Sequence, residues 1–251
     1  MLYVVRDVDP FEGPLDLLLH LARNQKVDLA RISVLALVEQ YIAFIEKAQQ
    51  LRLELAADYL VMAAWLAYLK SALLLPKDEQ EDPSPEELAL RLQLRLQRLG
   101  AMREAASRLA GEGYDFELRA TLPEGHPGPP WLRALGDLDY DSMPEAYREA
   151  DMCVIPSVWE EPFGIVALEA MATGIPVCAT RTGGLQDIVT PETGLLFNRG
   201  DAADLARCLK HLLDHPEQRM ALGTAGRKRT SEHFDWKHIA RSHYLPLLAG
   251  L

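Results

Sequence analysis

Glu161 and Glu169 stand eight positions apart in SVWEEPFGIVALEAMATGIPV, residues 157 to 177. Pro162-Phe163-Gly164 reads as a turn, and the apolar, Ala-rich run after it reads as a helix. That puts one carboxylate on a loop and the other five residues into the helix. The loop follows DMCVIP, 151 to 156, a short apolar run suited to a buried strand. At the carboxyl ends of parallel strands, chain reversals build ligand sites, and helix amino termini there present free N–H groups to anions. Gly164 would let the backbone approach a ligand, and the helix from Ile165 would aim its positive end at a phosphate. Glu161 would face the site from the loop, and Glu169 would reach a hydroxylated group beside it. Thr182-Gly183-Gly184-Leu185, after the next strand, offers a second glycine-rich turn on the same edge. The spacing fits a pocket for a sugar nucleotide. The alternative is a capped helix carrying two solvated acids.

The elements that must hold this pocket are those of an α/β sheet. DFELRA (115 to 120), DMCVIP, IPVCAT (175 to 180) and TGLLF (193 to 197) are expected as buried parallel strands. Helical stretches over Met143 to Ala150, Ile165 to Ala172, Ala202 to Asp214 and Pro216 to His233 alternate with them. Strand alternating with helix gives a parallel sheet.

The first hundred residues have a different period. Asp9-Pro10 is a plausible cap for FEGPLDLLLHLARNQ, whose Leu15, Leu18, Leu19 and Leu21 recur at helical spacing. A second helix runs from about Ile32 to Gln50, with Leu35, Val38, Tyr41, Ile42 and Ile45 on one stripe. A third, from about Leu53 to Leu75, ends at Pro76. Leu60, Val61, Trp65, Leu66, Tyr68 and Leu69 wrap much of its circumference, wider than a surface helix needs. Either a partner helix or a fourth helix of the same chain must cover that surface. Residues 77 to 85 form an acidic, Pro-containing linker. Beyond it, Ser84 and Glu87 make a capping box. Leu88, Leu90, Leu92, Leu94 and Leu96 alternate like a strand, yet the cap and the Leu/Arg/Gln/Glu/Ala composition favour a helix. Gly111 to Pro130, rich in Gly and Pro, holds the seam between the halves.

Composition narrows the function. With 49% hydrophobic and 25% charged residues the chain is globular. A net charge of −11 argues against a nucleic-acid groove, which needs clustered cations. Cys153, Cys178 and Cys208 lack C-x-x-C spacing and fit a reducing cytoplasm. MLYVVRDVDP carries acids where a signal peptide needs a positive region and an apolar core. The apolar run Tyr59 to Leu69 falls short of the roughly 20 residues a membrane span requires. His211, His215, His233, His238 and His243 lack the acids or cysteines of a metal set and read as surface residues, so no metal is expected. Asp137, Asp139 and Asp141 lack the Gly and distal Glu of a calcium loop and read as a solvated turn.

Two resemblances sharpen this reading. MPEAYREADMCVIPSVWEEPFGIVALEAMATGIPVCAT, TGGLQDIV and TGLLFNRGDAADLA are similar to the carboxy-terminal half of family-4 glycosyltransferases of the GT-B fold, over about 135 to 245. The family's E-x7-E motif falls on Glu161 and Glu169. The resemblance implies that Glu161 lies against the donor sugar and Glu169 holds the nucleotide ribose. It also implies that the Phe163-Gly164-Ile165 backbone meets the diphosphate of a UDP- or GDP-sugar, in retaining transfer without an obligatory metal or other cofactor. The family's G-R-x-x-x-x-K-G loop does not precede DFELR, and a helical segment stands where an acceptor-binding domain is expected.

FEGPLDLLL and AADYLVMAAWLAYLKSALLLP, within about 9 to 110, resemble the amino-terminal part of segregation and condensation protein A (ScpA), the bacterial kleisin. The resemblance implies docking of the third helix, through Leu60, Val61, Trp65, Leu66 and Leu69, on the neck coiled coil of an SMC ATPase. It also implies docking of the next segment on ScpB. The family's closing winged helix is not matched. The expected organisation is a kleisin-like helical domain over 1–76, a linker and ScpB-binding-like helix over 77–110, and a Rossmann-like, incomplete GT-B half over 111–251. The expected function is a cytoplasmic adaptor in chromosome segregation. The alternative is a glycosyltransferase completed by a partner subunit.

Overall fold

A computed structural model describes residues 14–24, 32–50, 57–74, 83–120, 131–136 and 138–245. The Asp9-Pro10 cap, the FEG of the first motif, the ends of the third helix at Leu53 and Leu75, and most of the acidic linker lie outside the described residues. The chain divides into two units, Met1–Gly100 with Phe116–Asp137, and Ala101–Asp115 with Leu138–Leu251.

In the first unit, α1 (Pro14–Asn24), α2 (Val34–Gln50) and α3 (Ala57–Leu74) pack with the early turns of α4 (Pro85–Gly111). Leu17, Leu18 and Leu19 of α1 share one core with Leu37, Val38, Tyr41 and Ile45 of α2 and Tyr59, Leu66 and Leu69 of α3. Burying each such leucine contributes about 2 kcal/mol. The Tyr41 hydroxyl finds its partner in the Tyr59 carbonyl at 3.2 Å, which removes the cost of burying it. Leu92 and Leu96 of α4 complete this core, so a fourth helix of the same chain covers part of α3. Ser84 accepts from the Glu87 N–H at 3.2 Å, as the capping box requires. The leucine alternation does not make a strand: Leu92 and Leu96, one helical turn apart, are buried while Leu90 is exposed.

Burial corrects one expectation on α3. Leu66 and Leu69 are both 0% exposed and form the unit's own core, so neither is free to dock on a partner. Trp65 is half-buried against the same core. Leu60, Val61, Tyr68 and Leu74 remain outside it and exposed.

A second correction concerns DFELRA. Strand β1 (Leu118–Ala120) does not join the main sheet but pairs in parallel with β2 (Leu132–Ala134), in register Leu118 to Leu132. The strand is short and half-buried, and its flank is polar: Glu117 lies 2.7 Å from Arg119 and 3.8 Å from Arg133. β2 lies just beyond the Gly/Pro-rich seam, where no strand is expected from the sequence.

The second unit carries a parallel sheet of β3 (Cys153–Ile155), β4 (Val177–Thr180) and β5 (Gly194–Phe197), in that order. All three strands fall inside the runs expected for them. Successive side chains alternate between two cores. Ile155, Val177, Ala179 and partly buried Leu196 face one side, with Ala167, Ala170 and Met171 of α6 (Ile165–Thr173). Cys178 and Phe197 face the other, with Leu205, Cys208 and Leu212 of α8 (Ala202–Asp214). This two-sided burial is why the strands read as continuous apolar runs. Ala105 of α4 belongs to the second core, with Met102 packed against it. The α4 end is fastened by a Lys210–Glu112 ion pair and by the Tyr114 hydroxyl, which donates to Asp214 at 2.6 Å. The last turns of α4 therefore belong to the sheet unit.

α5 (Met143–Arg148), α7 (Leu185–Ile188), α9 (Pro216–His233) and α10 (Trp236–Ile239) complete the unit, with a π-helical stretch over Ala240–Tyr244. Asp201 caps α8 by accepting from Ala203 and Asp204, and Asp235 caps α10. Among the described residues, no helix is long and apolar enough to cross a membrane.

Candidate functional site

The loop from Ser157 to Gly164 follows β3, and the turn from Arg181 to Gly184 follows β4, so both lie at the carboxyl edge of the sheet. They abut backbone to backbone. The Gly184 N–H donates to the Glu161 carbonyl at 2.7 Å, and the Thr182 hydroxyl donates to the Trp159 carbonyl at 3.0 Å. The Gly183 N–H donates to the Glu160 carboxylate at 2.9 Å, whose other oxygen pairs with Arg199 at 3.3 Å. Glu160 thus links the loops that follow three successive strands.

This contact accounts for the absence of a side chain at two glycines. Gly183 has φ +46°, and a Cβ there would lie 2.6 Å from the Glu161 nitrogen. At Gly164, φ is +94° and a Cβ would lie 2.7 Å from the Leu185 side chain. Both positions exclude a side chain because neighbouring segments press on them.

Glu161 is half-buried and accepts from the Ser157 hydroxyl at 3.2 Å. Glu169 is half-buried and accepts from the Tyr147 hydroxyl of α5 at 3.3 Å. Glu169 and Tyr147 line a cleft of about 320 Å³ with Tyr140, Met143, Thr173 and Arg227, among others; Glu161 does not line it. The structure therefore puts the two motif carboxylates at different stations. Glu169 opens on the cleft beside α5, and Glu161 belongs to the loop. Phe163 and Ile165 flank the amino end of α6, both exposed, and no side chain caps that end. The first N–H groups of a helix have no partner within it, so this end is an anion-accepting surface. The Phe163 ring sits edge-on to Phe234 at 6.2 Å.

Tyr147, Glu160 and Arg199 escape sequence reasoning: no spacing rule marks a tyrosine 22 residues before its glutamate. His211 and His215 stack at 4.4 Å, with their ring nitrogens on Gln218 and a backbone carbonyl. Among the described residues no group of three or more His, Cys, Asp or Glu could hold a metal ion.

Cys153, at the start of β3, titrates abnormally. Burial, helped by the Glu169 charge, pushes its thiol up to about 12. An unfolded chain releases that proton near pH 8.5, so the thiol's contribution to stability is full below about pH 8.5 and falls as pH rises toward 12. The alkaline loss of urea resistance should therefore be shallower in Cys153→Ala than in the parent, by up to about 1.4 kcal/mol per pH unit. Identical profiles would contradict this.

Comparison with known proteins fits both halves. A model of segregation and condensation protein ScpA matches residues 21–109, and a model of glycosyl transferases group 1 matches residues 108–229. The chain is thus similar to ScpA over one segment and to group 1 glycosyl transferases over the next. Segregation and condensation protein A of Halalkalibacterium halodurans is 42% identical over 128 residues, 47% of this chain and 47% of that protein. The chain is also similar to sulfoquinovosyl transferase SQD2 of Arabidopsis thaliana, 42% identical over 106 residues, 41% of this chain and 20% of the relative. The chain thus spans less than half of each of these relatives. A glycosyltransferase crystal structure from Rickettsia africae shares the fold with a TM-score of 0.50 and 20% identity, over 59% of this chain and 42% of that one.

Proposed function

We propose that the chain is a ScpA-like adaptor in chromosome segregation and condensation, acting in the cytoplasm, that docks on the SMC neck coiled coil and on ScpB. The observation that carries this reading is the surplus apolar surface of α3. Its Leu66 and Leu69 already fill the helical core, yet Leu60, Val61 and Tyr68 remain exposed, Val61 by 68%. A helix whose apolar face exceeds its own core is suited to another helix's groove. Leu60 and Val61 are then the docking residues, with half-buried Trp65 beside them. Residues 1–76 form the docking domain and 77–110 the ScpB-facing segment. The face of its early turns that carries exposed Leu90 is the part left for ScpB, since Leu92 and Leu96 fill the helical core and its last turns serve the sheet unit.

The test is co-purification with SMC and ScpB. Leu60→Asp combined with Val61→Asp should abolish SMC capture while leaving thermal unfolding unchanged; capture that survives both changes would count against the reading.

A second reading is favoured by the cleft beside Glu169. The glycosyltransferase segment binds a UDP- or GDP-sugar. Glu169 takes the ribose, Glu161 faces the donor sugar, and the backbone of Phe163, Gly164, Ile165, Gly183 and Gly184 lies near the diphosphate. Retaining transfer would then need an acceptor domain supplied by a partner. Calorimetric titration with nucleotide sugars checks it: binding should be lost in Glu169→Ala, and silence of the parent across the panel would remove it.

A further inference from the structure

We propose that Tyr147 is a positioning residue that orients Glu169 toward the hydroxyls of a nucleoside ribose in the cleft between α5 and α6. This rests on the reading that the glycosyltransferase segment binds a nucleotide sugar. Among the described residues no cation pairs with Glu169, and its Oε2 accepts only from the Tyr147 hydroxyl, at 3.3 Å. One carboxylate oxygen is thereby engaged, and Oε1 stays available to a ligand donor. Both side chains are half-buried and both line the 320 Å³ cleft, a volume suited to a small ligand. The remaining walls supply matching chemistry. Tyr140, 80% exposed, presents an aromatic ring, and Arg227 presents a guanidinium group, while Arg148 beside it is paired with Glu145 at 2.7 Å. A ring, a carboxylate and a cation together suit a ligand with an aromatic base, a diol and an anionic group, which is a nucleoside phosphate.

The tyrosine is held in the donor state this role needs. Burial, then the neighbouring Cys153 and Glu169, raises its pKa far above the ordinary value, so the hydroxyl keeps its proton across the physiological range. A phenylalanine at 147 fills the same space and packs the same α5–α6 contact but leaves Glu169 without its restraint. The loss then falls on ligand hydroxyls and not on the fold.

The experiment titrates UDP and 2′,3′-dideoxy-UDP into the full chain and into its Tyr147→Phe and Glu169→Ala variants. In the parent, UDP should bind more tightly than the dideoxy analogue. Tyr147→Phe should weaken UDP about fivefold, the size of one hydrogen bond, while leaving the dideoxy analogue unchanged. Its thermal midpoint should match the parent's. Equal weakening of both nucleotides would assign Tyr147 a structural role and overturn the inference. So would an unchanged affinity for UDP in a chain whose Glu169→Ala variant loses it, with the nucleotide-sugar reading intact. A parent that binds neither nucleotide overturns both.

Discussion

Leu66→Glu should abolish the cooperative unfolding transition of the helical unit. The leucine is fully buried among α1, α2 and α4 residues, so the change removes about 2 to 3 kcal/mol of apolar burial. It also strands a carboxylate in a core that offers no cation among its buried members, a penalty of several kcal/mol more. The sum, about 5 kcal/mol or above, equals the whole stability of many domains. Urea unfolding followed by circular dichroism checks it, with Val61→Glu as the control: that site is exposed, and the shift there should stay within about 0.5 kcal/mol. Similar shifts at the two positions would mean that α3 does not pack as described. The comparison also bears on partner capture, because a Leu66 variant that fails to bind SMC reports unfolding and not a lost contact.

Gly183→Ala should damage the sheet-edge loops nearly as severely. The positive φ costs a non-glycine residue about 1 to 2 kcal/mol. The new methyl would also meet Glu161 backbone atoms, which lack the freedom of a side chain tip. Relief requires the two loops to separate, at the expense of the bonds from Gly183 to Glu160, Gly184 to Glu161 and Thr182 to Trp159. At about 1 kcal/mol for each bond, the total reaches about 4 kcal/mol. The urea midpoint should fall accordingly, and any nucleotide-sugar heat in the parent should vanish. A variant as stable as the parent would mean that the loops do not touch at this point.

The sequence made the sheet unit legible where burial is two-sided. DMCVIP, IPVCAT and TGLLF each contain a strand, because a strand covered on both faces has no polar alternation to obscure it. Ala202–Asp214 and Pro216–His233 are helices over the spans expected, since Asp201 and Pro216 mark their starts chemically. DFELRA holds a parallel strand as expected, but a half-buried one that pairs with β2 and not with the main sheet, because periodicity does not register which strand will be the partner. On α3, composition revealed too much apolar surface but not which stripe the core would take. With leucine, valine and tryptophan all round the helix, only the positions of α1, α2 and α4 decide that Leu66 and Leu69 go in while Leu60 and Val61 stay out. At the site, the two glutamates were visible as a spaced pair. Their separate stations were not, because Tyr147 and Ser157, which hold them, carry no spacing signature.

The shared helix α4 has a consequence for biosynthesis. Its early turns close the helical core with residues already made, but Ala105 waits for Cys178 and Phe197 to emerge from the ribosome. At ordinary elongation speeds that interval is roughly 5 to 20 seconds. Throughout it, Ala105 and Met102 stay without the sheet residues that will cover them.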